Sequence, residues 1–116
     1  MKKTVQDYMS EGLERPYAEY FAAGRREIMR IIPHKDLTLE LIFDNGERRR
    51  LDMRPLIQPG TVWEPLGKWE VFSRVFLDEL CAPAWDIDPN IDSQKFINNR
   101  LDCCPDVAYV ESVPYE

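Results

Sequence analysis

Long apolar runs are missing from this 116-residue chain. Nowhere do about 18 apolar residues stand together, so no membrane-spanning helix is expected. The opening Met1-Lys2-Lys3 is basic, but the apolar stretch of a secretory leader does not follow. The cytoplasm is therefore the expected compartment. Cysteine is scarce: Cys81, Cys103 and Cys104 make an odd number, two of them adjacent and poorly placed to bond each other. Reduced thiols are the expectation. No C-x-x-C pair occurs, and histidine appears once, at His34. Zinc ligation and a Cys–His nucleophile pair therefore have little to build on. A phosphate-binding glycine loop, a nucleophile motif and a paired acid and base are all lacking. The expectation is a protein without catalytic residues and without a cofactor.

What the chain does have is apolar mass. Hydrophobic residues make up 44%, with three Trp, five Tyr and five Phe. That suffices for one packed core without staples. Net charge is −6, unevenly spread. Residues 1–54 hold eleven Lys/Arg against ten Asp/Glu; residues 55–116 hold four against eleven. The acidic half argues against a protein that coats nucleic acid, whose affinity comes from cations. It leaves room for a basic patch in the first half.

Residues 1–25 read as a helical N-terminal extension and 26–116 as a single α+β domain. In the extension Leu13, Tyr17, Tyr20 and Phe21 recur at helical steps, with Pro16 in a first turn and Gly24 as the stop. Residues 27–33 are a candidate strand, and 37–43 alternate as a half-buried strand should. Asp44-Asn45-Gly46 then signals a turn, and 47–53 return.

Register decides the turn. A two-residue Asn45-Gly46 turn would set Leu39, Leu41 and Phe43 opposite Asp52, Arg50 and Arg48. A three-residue turn with Gly46 left-handed instead pairs Leu39 with Leu51, Leu37 with Met53, and Glu40 with Arg50 on the outer face. Matched cross-strand pairs contribute a few tenths to about 1 kcal/mol each, so the second register is expected. Beyond Met53, residues 54–65 read as irregular and 66–72 as a short helix with Trp69 and Phe72 on one side. Strands are expected at 74–78 and 84–86, a helix from Asp92 to about Asn99, and a final helix from Pro105.

The order of these motifs resembles a bacterial family, domain of unknown function 2442. The hairpin Leu39-Glu40-Leu41-Ile42-Phe43-Asp44-Asn45-Gly46-Glu47 with Leu51-Asp52-Met53-Arg54-Pro55-Leu56-Ile57 is one part. Trp63-Glu64-Pro65-Leu66, Phe72 and Val75-Phe76-Leu77-Asp78 are the second. Trp85 to Ser93 and Asp102-Cys103-Cys104-Pro105-Asp106 are the third. The likeness covers about residues 26–112; the N-terminal extension departs from the shorter family pattern. It implies a small two-layer sandwich: a curled antiparallel sheet with short helices on one side. The family carries no established activity. Some relatives are fused to a helix-turn-helix domain or encoded beside a second small protein.

Several constellations are candidates for function. Asp86, Asp88, Asn90 and Asp92 have the alternate spacing of a calcium loop. However, Ile91 stands where the loop's glycine belongs and Ile97 where its last carboxylate belongs. Capping and turn chemistry is the expected role, Asp92 or Ser93 capping the following helix. The carboxylates of Asp86, Asp88, Asp92, Asp102 and Asp106 are expected to accept backbone amides. Arg48, Arg49 and Arg50, with Arg25, Arg26 and Arg30, form a basic face if the strands are neighbours. Glu27, Glu40 and Glu47 would neutralise much of it. Arg48 and Arg50 are the interaction candidates, with Trp63 and Trp69 as aromatic anchors. The expected partner is another protein, a homodimer included; an antitoxin-like or DNA-contacting regulator is the alternative.

Overall fold

The computed structural model describes residues 3–93 and 95–115. Helix α1 (Val5–Ser10) starts on a capping box: the Thr4 hydroxyl accepts from the Asp7 amide, and the Asp7 carboxylate accepts from the Thr4 amide. Helix α2 (Arg15–Ala23) has Pro16 in its first turn and ends on Gly24 at φ +108°. The helical lead-in is thus two helices. The break falls at Gly12, which takes φ +101°, a region that L side chains avoid. Tyr8 and Phe21 pack the pair together, ring centroids 5.8 Å apart.

Strands β1 (Ile28–Pro33), β2 (Thr38–Phe43) and β3 (Arg48–Asp52) form an antiparallel meander. The observed pairs are Leu39 with Leu51 and Glu40 with Arg50, and the Met53 amide donates to the Leu37 carbonyl at 3.2 Å. Phe43 and Glu47 close a three-residue loop with Gly46 at φ +87°. The three-residue register is therefore the one formed.

Beyond the hairpin, the expected helix over 66–72 is split. A 3-10 turn at Glu64–Gly67 is followed by an extended Lys68 and the single turn α3 (Trp69–Phe72). Strands β4 (Phe76–Leu77), β5 (Pro83–Asp86) and β6 (Arg100–Asp102) form a second antiparallel sheet. The helix expected from Asp92 to about Asn99 is not formed among the described residues, and β6 follows as a strand the sequence reading did not expect. From Asp92 the chain makes a turn and then one 3-10 turn, Ile97–Asn99, which delivers Leu101 opposite Trp85. The physical reason is β5, which is buried along Pro83, Ala84 and Trp85 and fills both its backbone edges. Helix α4 (Pro105–Glu111) carries the chain back to β7 (Val113–Pro114), which pairs with β3. The class is α+β, with the seven strands of the described residues divided into two sheets, β1-β2-β3-β7 and β4-β5-β6.

The core lies on one face of the larger sheet. Leu39, Leu41, Phe43, Leu51 and Met53 are buried against Leu66, Val71, Phe72, Trp85 and Ala108. Trp85 stacks on Phe72 at 5.8 Å, and its indole N–H donates to the Phe72 carbonyl at 3.0 Å. Among the described residues, no helix is long and apolar enough to cross a membrane.

Candidate interaction face

Val71 and Phe72 of α3 and Ala108 of α4 pack on the inner face of the four-stranded sheet, which leaves the opposite face as the outer one. Strand alternation sends Arg30 and Ile32 of β1, Glu40 and Ile42 of β2, and Arg48 and Arg50 of β3 to that face. Glu40 is its centre. Only 5% exposed, it accepts hydrogen bonds from Arg48 Nε and contacts His34 Nε2 at 3.2 Å. The Arg48 hydrogen bond holds the Glu40 carboxyl below its ordinary range, against the opposing effect of burial, and His34 adds to it. The Arg48 guanidinium also lies over the Tyr115 ring, 4.1 Å from its centroid.

The six arginines of the expected basic face divide by partner. Arg25 is bonded to Asp106 and Arg48 to Glu40. Arg49 points to the inner side, where it donates to Ser112 and Glu47 and covers the Tyr109 ring at 4.5 Å. The side chains of Arg26, Arg30 and Arg50 make no hydrogen bond or ion pair with a described residue. Arg30 and Arg50 are exposed on the outer face. Of the interaction candidates, Arg50 is therefore available, whereas Arg48 is already paired.

The edges of this sheet are less accessible than its face. His34 donates to the Thr38 carbonyl, so Pro33, one residue back, directs its nitrogen away from β2. Tyr115 donates to the Arg48 carbonyl, so Pro114 likewise turns its nitrogen outward. Each edge thus has a proline where an incoming strand would look for a donor.

Trp63 is half-buried and packs edge-on against Trp85 at 6.4 Å, so it belongs to the core wall. Trp69 is 39% exposed and leans on Phe72 from α3, on the core side of the sheet. Neither indole joins the arginines on the outer face.

In the acidic stretch, Asp86 Oδ1 accepts from the Ser93 amide and Asp88 Oδ1 from the Asn90 amide, both at 3.0 Å. The Asp92 carbonyl accepts from the Lys95 and Phe96 amides. Among the described residues no α-helix follows Asp92 or Ser93, where a cap was expected; buried Ser93 accepts from Arg100. Sequence reasoning overlooked Asn99. Its side chain takes the Asp88 amide at 2.9 Å and donates to the Asp88 and Ile91 carbonyls. No group of three or more His, Cys, Asp or Glu among the described residues is placed to hold a metal ion. Asp106 corrects another expectation: it takes Tyr20 and Arg25 side chains as donors. Asp102 makes no side-chain hydrogen bond with a described residue.

All three cysteines are free thiols; Cys103 is buried, and burial pushes its pKa up to about 11. Tyr115 and the His34–Glu40 contact also went unread in the sequence, because both depend on strand neighbours. Searches with protein-family models, among curated proteins and among solved structures give no match to this chain.

Proposed function

We propose that the chain is a non-enzymatic protein-interaction module that docks an acidic partner on the outer face of its four-stranded sheet. One observation carries this reading. Arg30 and Arg50 stand exposed beside Ile32 and Ile42, on the face opposite the core, in a chain of net charge −6. A local positive field on an acidic protein selects partners of opposite sign and speeds their encounter. The motif order that resembles domain-of-unknown-function family 2442 adds a family without known catalytic residues.

The test is affinity capture from the source cell, followed by titration of the purified partner. A stoichiometric complex that weakens at least tenfold with Arg30→Glu/Arg50→Glu, and weakens again with salt, is the expected result. No stoichiometric partner, or a complex indifferent to both charges, would count against it.

The same arginines favour one second reading, a DNA-contacting regulator. Duplex DNA would then bind at about 50 mM salt and dissociate steeply as salt rises. Absence of binding at low salt removes that reading.

A further inference from the structure

We infer that the edge of β3 is an acceptor for an extended acidic strand, and that the segment following α4 occupies it in cis until a partner's strand displaces it. This rests on the docking reading above and names its ligand.

Two consecutive arginines grip the segment and a third stands beside it. Arg48 lies over the Tyr115 ring at 4.1 Å and accepts, through its carbonyl, the Tyr115 amide at 2.9 Å. Arg49 donates to the Ser112 hydroxyl and carbonyl, each at 2.7 Å. Arg50 is in register with Val113, which is 49% exposed. The hold is nevertheless short: β7 has two residues. A longer strand gains more backbone pairing on the same edge. Its charge is also set by the acceptor. Arg50 meets an apolar Val113 and makes no ion pair with a described residue, so a carboxylate at that register position gains a partner the cis segment does not offer. The ligand is therefore a segment running antiparallel to β3, with an aromatic residue for Arg48 and a carboxylate for Arg50. The sequence Glu111-Ser112-Val113-Pro114-Tyr115-Glu116 is a weak version of it.

Occupancy in cis lowers the apparent affinity for any competitor by the fraction of sites left open. Two fluorescein-labelled peptides are the probes: residues 111–116, and the same peptide with Val113→Glu. Each is titrated by polarisation into the full chain and into the full chain carrying Tyr115→Ala. Loss of the ring from Arg48 should tighten both peptides at least about fivefold. The Val113→Glu peptide should bind more tightly than its parent, an advantage that disappears with Arg50→Glu. A chain ending at Ser112, checked for its fold by circular dichroism, should tighten binding further.

Equal affinity with and without Tyr115, or no preference for the added carboxylate, would overturn the inference. If the peptides fail while a partner complex sensitive to Arg30 and Arg50 persists, the strand acceptor alone is wrong. If both fail, the docking reading goes with it.

Discussion

The Tyr20 hydroxyl donates to the Asp106 carboxylate at 2.5 Å, joining α2 to α4 across 86 residues of sequence. The same oxygen accepts the Arg26 amide at 2.9 Å, and Arg25 holds the carboxylate from its other side. Tyr20 and Asp106 are both buried, so each polar atom depends on the other. Tyr20→Phe removes one partner and leaves the Arg26 amide and the Asp106 oxygen short of a bond. A loss of about 1–3 kcal/mol in denaturant unfolding is expected.

Alkaline pH probes the same contact. Burial, with the Asp106 bond second, raises the Tyr20 phenol to about 12 from an ordinary 10.0. The unfolded chain therefore ionises first. The stabilisation is complete below pH 10 and is lost as pH rises toward 12. Tyr17 is raised to about 12 as well, so the alkaline fall has more than one source. Tyr20→Phe should make the fall shallower without abolishing it. An unchanged slope between pH 9 and about 11 would contradict the assignment.

The acid side is governed in part by Glu40. Its folded pKa lies below the ordinary 4.5, chiefly through the Arg48 bond. Its contribution is present above that ordinary value and is lost as pH falls through the lowered one. Glu40→Gln should be less stable than the parent at neutral pH, and the two should converge as pH falls from the ordinary carboxylate value through the lowered one. Carboxyl NMR gives an independent check: Arg48→Met should move the Glu40 midpoint upward.

The hairpin register could be read directly from side-chain types. Leu39, Leu41 and Phe43 alternate, and only one turn length sets Leu51 and Met53 on their face. Period-two patterns and glycine turns are local, so one strand and its neighbour in sequence suffice. Strand β6 could not be read this way. Arg100-Leu101-Asp102 has no length and little pattern, and it is a strand because β5 lies beside it with an edge to fill. The arginine cluster was visible as composition, but its division was not. Arg49 points inward to Tyr109 while Arg50 points outward, a difference set by alternation and by which face α4 covers. Tyr20 was readable as apolar helix face, whereas its bond to Asp106 depends on how α2 meets α4.

Gly46 offers a clean test of the turn. It has φ +87°, and a Cβ built there meets nothing within 4 Å. Substitution therefore costs backbone strain and no clash. Gly46→Ala should destabilise by about 1–2 kcal/mol, and Gly46→Asn by less, because Asn tolerates the left-handed region better. Thermal melts of the two variants measure the difference. Equal melting temperatures for both and the parent would remove the argument that this register depends on a left-handed residue.

The acidic loop separates a turn from a calcium site most sharply. Asp86 and Asp88 each spend an oxygen on an amide of their own loop, and Asn99 ties the Asp88 amide and carbonyl to the Ile91 carbonyl. A calcium ion needs six to eight oxygens converging on one point. Here Oδ1 of Asp86 and Oδ1 of Asp88 are acceptors for the Ser93 and Asn90 amides. Asn99 is then the residue on which the loop depends. Asn99→Ala removes the side-chain acceptor of the Asp88 amide and the donor to two carbonyls, with an expected loss of about 1–3 kcal/mol. Millimolar calcium should leave the melting temperature where it is, because only a ligand that prefers the folded chain raises it. The informative comparison runs the parent, Asp88→Ala and Asn99→Ala with and without calcium. A rise in the parent that Asp88→Ala abolishes would establish a cation site. A calcium-independent fall in Asn99→Ala alone marks the loop as a closure held by one amide side chain.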